Sequence, residues 1–334
     1  MSNMSTNKWQ QMRLTCPEYI LDDSSFVLSA IALFGFCASW ITIIRFKKSL
    51  KGSILLYFLA ITDMMYCLFY QYNYFLKSLI MDIESDWLLN FRQSISGFVR
   101  LFEEFGNNFL PLLVLLIVFE KFLWTCSSAT RRSWIQFLEP KEKLRLVMML
   151  ITYSLISMTI TIWNMNWWNL EICQLSEAPK PFSNPFMQVL QTQIVPSIVG
   201  GANFVSFFIA FFTLARVCQV GDGEKPSDLG EVIDLNEPDK PKPKLTSGIV
   251  KRSILCVLTI YFCFMSRGFC YYIFANPRIA ALRNLNLNTR ITRAWSYDFM
   301  SVIFSTFRPF LYIVFCRDKL VVDYPPYALR NANY

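Results

Sequence analysis

Seven long apolar stretches alternate with polar and charged segments along the chain, at 25–46, 53–76, 97–126, 144–163, 187–217, 249–274 and 291–316. Each runs for about 20 residues or more, the length a helix needs to cross the hydrocarbon core of a bilayer. The pattern predicts an all-α membrane protein, a seven-transmembrane helix bundle over 25–316. The stretch at 97–126 is the one around which the others are arranged. As a single helix it would rise about 45 Å against a hydrocarbon core of about 30 Å, and so protrude on both sides. Arg100, Glu103 and Glu104 mark one end and Glu120 and Lys121 the other, while positions 110–119 hold no ionisable group. Charged ends with a dry middle suit a helix that meets something outside and answers inside.

The polar segments set the orientation. Residues 1–24 are polar and place Asp22 and Asp23 beside the first apolar run, so no cleavable leader is expected and the first span acts as its own insertion signal. Arg45, Lys47, Lys48 and Lys51 follow that span closely, while Lys8 and Arg13 precede it at a distance, which puts the N-terminus outside. The loop after the third span agrees, with Arg131, Arg132, Lys141, Lys143 and Arg145 against Lys180 in the loop after the fourth. Arg278, Arg283, Arg290 and Arg293 fall in the last outer loop and are read as a basic mouth. The insert at 219–245 is rich in Asp, Glu, Lys and Pro and has too few apolar residues to bury a core, so it is expected to be a disordered inner loop. Residues 317–334 form a short cytoplasmic tail.

Composition narrows the class. The 334 residues are 54% apolar, 16% aromatic and 17% charged, too apolar for an ordinary soluble domain of this size. The net charge of +8 lies on the inner loops and the basic mouth, which fits orientation and anionic membrane lipids as partners better than nucleic acid, for which the chain has no motif. With no histidine and no cluster of metal-ligand spacing, neither a metal nor another cofactor is expected, and the chain is not read as an enzyme. Of the ten cysteines, Cys16 and Cys173 fall in outer segments, the oxidising side, and are the disulfide candidates. Asn3-Met4-Ser5 on the outer tail is a glycosylation acceptor sequence.

A charge at mid-bilayer costs at least about 2.5 to 3.5 kcal/mol, so each one should face the bundle interior and meet a partner. Asp63 lies near the centre of the second span, in Leu59-Ala60-Ile61-Thr62-Asp63, and Arg308 lies deep in the seventh, followed by Pro309-Phe310-Leu311-Tyr312. Glu120-Lys121-Phe122 closes the third. In order and position these residues resemble the rhodopsin-like (class A) family of G-protein-coupled receptors, in a divergent form similar to invertebrate peptide or chemosensory receptors. Leu59-Ala60-x-x-Asp63 matches the family's second-helix LAxxD, Pro309-x-x-Tyr312 matches the later half of NPxxY, Glu120-Lys121-Phe122 resembles Asp-Arg-Tyr, and Pro196 resembles the fifth-helix proline. The departures are Gly35-Phe36 and Arg308 where the family usually carries Asn or Asp, and Cys263-Phe264-Met265-Ser266 in place of Cys-Trp-x-Pro. The cysteine expected outside the third helix is also missing, with Ser96 near its place.

The resemblance implies a receptor in which an extracellular ligand biases a bistable bundle toward a heterotrimeric G protein. Asp63, Glu120, Lys121, Phe264, Arg308, Pro309 and Tyr312 would form the activation switch. In the family the second-helix carboxylate helps to hold sodium. Here Arg308 would supply a fixed cation, pairing with Asp63 instead, or else reach inward or to another carboxylate. Glu120 beside Lys121 would make an inner latch or remain two interfacial charges. Glu103, Glu104, Asn107, Arg267 and Asp298 are the candidate ligand contacts, and three carboxylates there favour a basic ligand, for which a peptide is preferred. The alternative is an internal network, with Arg100 four residues from Glu104. A chemosensory receptor for a small molecule and a seven-span ligand-gated channel are the other readings. The last span holds no lysine on which retinal could be carried. A Cys16–Cys173 bridge would replace the loop disulfide that the resemblance leads one to expect.

Overall fold

The computed structural model describes residues 23–47, 50–126, 140–164 and 185–219, most of 254–265, 302–311, and isolated positions from 130 to 139. Among these every regular element is helical. Asn3, Cys16, Cys173, Arg267, Asp298 and Tyr312, the insert beyond Gln219 and the tail lie outside the described residues.

Helix α1 is Asp23–Lys47 and α2 is Leu50–Tyr70. A π-turn at Gln71–Phe75 carries α2 onward into α3, Leu76–Ile83. The chain then turns sharply. Glu84 takes the left-handed conformation (φ 53°), and its N–H donates to the Ile80 carbonyl at 3.0 Å. Ser85 caps the next helix by accepting the Leu88 N–H at 3.4 Å, with Asp86 in the first turn. That helix, α4, runs Asp86–Thr125, 40 residues and about 60 Å. It begins well before the apolar run at 97, where the Ser85 cap, the stacked Trp87–Phe91 pair and the tilted Phe98–Phe102 pair support its first turns.

Helix α5 is Pro140–Asn164, opening on a proline whose missing N–H costs nothing at a first position. Then come α6, Pro185–Val189, a π-turn at Leu190–Ile194, and α7, Val195–Gln219. The sequence places the break in this span at Pro196, Gly200 and Gly201. The helix instead continues through both glycines, and its widened turn lies just before the proline. Pro196 has no N–H to donate, and the π-turn closes just before it, with the Val195 N–H donating to the Leu190 carbonyl. Pro111 sits inside α4 without interrupting it.

Four helices are long and apolar enough to cross a membrane, over Val27–Ile44, Asp86–Leu123, Lys141–Ile160 and Val195–Cys218, and Ile54–Tyr70 and Val302–Leu311 are shorter apolar helices. Half of the α4 span is buried, against a third of α1 and 22% of α5 and α7, so α4 is the central rod. It packs against α2, α5 and α7, while α1 lies on α2. The main core is the 109–118 stretch of α4 with Leu55 and Leu59 of α2, Val147 of α5, Ala210 of α7, and Ile254, Val257, Leu258, Ile260, Tyr261 and Phe264 from the helical positions of 254–265. Phe207, Phe211 and Phe212 of α7 and Leu33, Phe34 and Ile41 of α1 are exposed, an outward apolar surface of the kind lipid covers.

Candidate functional site

Polar side chains gather at three levels along the central rod. The middle level joins α2 to the helix Val302–Leu311. Asp63 and Arg308 are buried, with side chains 0% and 1% exposed, and Arg308 Nη1 lies 3.1 Å from Asp63 Oδ1. Arg308 Nε also donates to the carbonyl of Phe304 at 3.4 Å. The expected pairing of these two charges is therefore present, across helices far apart in sequence.

Close approach of the helices makes the pairing possible. A Cβ placed on Gly35 of α1 would collide with Thr306 Oγ1 and stand 3.0 Å from Cys67 Sγ. Thr306 Oγ1 donates to the Ile31 carbonyl at 3.3 Å, and Phe34 stacks on Phe310 at 5.6 Å between centroids. Gly35 thus lets the Val302–Leu311 helix settle into the angle between α1 and α2. Pro309 is buried in it, and Ser39 and Ser305 bring buried hydroxyls to the same helices.

The second level lies at the C-terminal end of α4. Lys143 Nζ of α5 donates to Glu120 Oε1 at 2.7 Å, with both side chains at or below 10% exposed. Reading the sequence sets Glu120 against its neighbour Lys121. The structure gives it Lys143 instead, because Lys143 sits on the buried face of α5 one position before Leu144, while Lys121 turns away half-buried. Arg216 of α7 reaches across as well. Its Nη1 donates to Cys126 Sγ at 3.3 Å, and its guanidinium lies 5.2 Å from the centre of the Phe122 ring. Phe119 meets Trp134 and Phe137 edge-on, which ties the following segment to the rod. Phe264 is buried in the core, packed with the residues that face the middle of α4.

The third level, in the N-terminal half of α4, separates residues that the sequence groups together. Asn108 is buried, and its amide donates to Ser157 Oγ of α5 at 3.1 Å and to Glu104 Oε1 at 3.4 Å. Glu104 is therefore part of the α4–α5 contact. Asn107 is exposed on another face, where its Oδ1 accepts the Tyr66 hydroxyl of α2 at 3.2 Å. Gly106 leaves room for the Tyr66 ring, since a Cβ there would stand 3.4 Å from the Tyr66 hydroxyl oxygen. Glu103 lies one turn above Asn107, half-buried and within electrostatic reach of Tyr72.

Above them the π-turn sends neighbouring side chains to different helices. Gln71 exchanges two hydrogen bonds with Ser29 of α1, accepting its hydroxyl at 2.7 Å and donating to its carbonyl at 2.6 Å. Tyr72 turns to α4, where its hydroxyl donates to the Arg92 carbonyl at 2.6 Å and its ring carries the Arg92 guanidinium at 5.5 Å.

Tyr66, Tyr72, Arg92, Lys143 and Ser157 escape a reading of the sequence. None is a charge stranded in an apolar run, and what distinguishes each is its neighbour on another helix. No protein-family model matches the chain, and no curated protein matches it significantly. Among the described residues no group of His, Cys, Asp or Glu could hold a metal ion.

Proposed function

We propose that the chain is a seven-span receptor of the rhodopsin-like kind, with its N-terminus outside the plasma membrane, that binds an extracellular peptide and activates a heterotrimeric G protein. The observation that carries this reading is the buried Asp63–Arg308 pair, which ties the LAxxD helix to the helix bearing Pro309. Replacing such a pair with well-packed apolar residues is often neutral or stabilising, so its presence favours a role in setting conformation over one in holding the bundle together. The outer carboxylate Glu103 and the exposed amide of Asn107 share one side of the central rod, and Glu120 stands some 20 Å further in, at the inner end of the same helix. One rod thus carries a polar outer site, a dry core and a charged inner end. A ligand that prefers one arrangement of the surrounding helices shifts the inner end by that difference in affinity, with no bond made or broken.

A random peptide library applied to cells expressing the chain, with G-protein dissociation as readout, tests this directly. Peptides that evoke dissociation support it. A ligand-evoked current in cells stripped of G proteins would replace it with the channel reading.

A further inference from the structure

At the outer end of α4, Arg92 is held in place by the π-turn of the second span and serves no pairing role among the described residues. Its guanidinium lies over the Tyr72 ring, 5.5 Å from the ring centre. Tyr72 is itself fixed by donating to the Arg92 carbonyl. Arg92 Nε is buried and meets no hydrogen-bond acceptor among the described residues, nor does any described carboxylate pair with the side chain. A buried donor without an acceptor is costly, and the planar fork of an arginine matches a carboxylate. Arg92 and Glu103 are eleven positions apart on one helix, which brings them within about 20° of the same face and roughly 16 Å apart along it. Tyr72 lies within electrostatic reach of both, so the two charges border one strip between the second and third spans.

We propose that Arg92 receives a carboxylate of the ligand, so that the ligand is dipolar, with its acid at Arg92 and its base about three helical turns deeper at Glu103. The bond is charge-assisted, with guanidinium N–H groups donating to the carboxylate oxygens. A peptide of five or six residues in extended form spans the distance, at about 3.3 Å per residue. The assignment rests on the receptor reading for the existence of an outer ligand, and it adds the ligand's charge pattern and orientation.

The test uses the full chain in nanodiscs of phosphatidylcholine and two pools of random hexapeptides, each with an N-terminal arginine. One pool ends in a free carboxylate and the other in an amide, and bound peptide is counted by mass spectrometry. The free-acid pool should be retained about tenfold or more over the amidated pool, the scale of a hydrogen bond to a charged group. Arg92→Gln should bring the two pools level, and Arg92→Lys should keep part of the preference. Should Arg92→Gln fail to fold, the wild-type comparison and Arg92→Lys still decide. Equal retention of both pools overturns the assignment, as it would if only lipid phosphate engaged the guanidinium. So does retention of neither pool, or a preference that Arg92→Gln leaves intact. No G protein is present in this measurement. Acid-selective binding without G-protein dissociation in cells would defeat the transduction reading and leave Arg92 assigned, whereas equal dissociation by amidated peptides would do the reverse.

Discussion

Arg308 is the residue at which burial and charge conflict most sharply. Removing one partner of a buried pair leaves the other charge without compensation, at a cost of about 3 to 5 kcal/mol. Arg308→Gln should therefore lower the melting temperature of the solubilised protein by several degrees, while the paired change Asp63→Leu with Arg308→Met should recover most of the loss. If the single variant melts like the wild type, the pair contributes no stability. Arg308→Asn makes a different point. It removes the built-in cation while leaving Asp63 and the hydroxyls of Ser39 and Ser305 on the packed helices, so a mobile cation can take its place. Its melting temperature should rise in sodium chloride relative to choline chloride, and the wild type should show no such difference. The two outer carboxylates should also part company. Glu103→Gln should weaken a cationic peptide about tenfold or more in a displacement assay while sparing a neutral one, whereas Glu104→Gln should act through the α4–α5 contact and affect both alike. Selective loss in Glu104→Gln would reverse the assignment.

At the scale of elements, the end of the molecule where α3 meets α4 depends on turns. The α3–α4 connection is held by a left-handed Glu84 and the Ser85 cap. Ser85→Ala should cost about 1 kcal/mol, and Glu84→Gly should be neutral or slightly stabilising, since glycine accepts positive φ without strain. Hydrogen exchange of amides 86–92 offers the local readout, with faster exchange in Ser85→Ala and unchanged exchange in Glu84→Gly. Equal protection in the wild type and Ser85→Ala would mean that packing, not the cap, starts the helix. The two π-turns act differently from one another. The one at Leu190–Ile194 closes just before Pro196 with the Val195 N–H on the Leu190 carbonyl, and the one at Gln71–Phe75 aims Gln71 and Tyr72 at opposite neighbours.

For the whole molecule, adjoining ends of three helices, α4, α5 and α7, are fastened by two side chains, Lys143 to Glu120 and Arg216 to Phe122 and Cys126. If opening of those ends is what a G protein reads, loosening the fastening shifts the resting equilibrium. Lys143→Met should raise ligand-free G-protein turnover severalfold, because even a change of about 1 kcal/mol alters a two-state ratio about fivefold. Surface expression must be matched for the comparison. Unchanged or lower turnover at equal expression would show that the contact is structural.

The sequence determined the class and the longitudinal plan. Apolar runs of bilayer length mark helices because a chain in lipid must satisfy its own backbone, and this logic is local enough to read residue by residue. It also singled out α4 as the central rod, and Asp63 and Arg308 as needing one another, since an ionised group in an apolar run leaves few alternatives. What it could not determine is direction around each helix. Asn107 and Asn108 are neighbours in the chain yet bond to α2 and α5, Glu120 is paired by Lys143 and not by Lys121, and a tyrosine and an arginine unremarkable in sequence meet beside a widened turn. Consecutive residues on a helix differ by about 100° in direction, so the partner of each polar group depends on the rotation and approach of a second helix. Those are set by close packing at positions such as Gly35 and Gly106, which exist as contacts only once the helices are assembled.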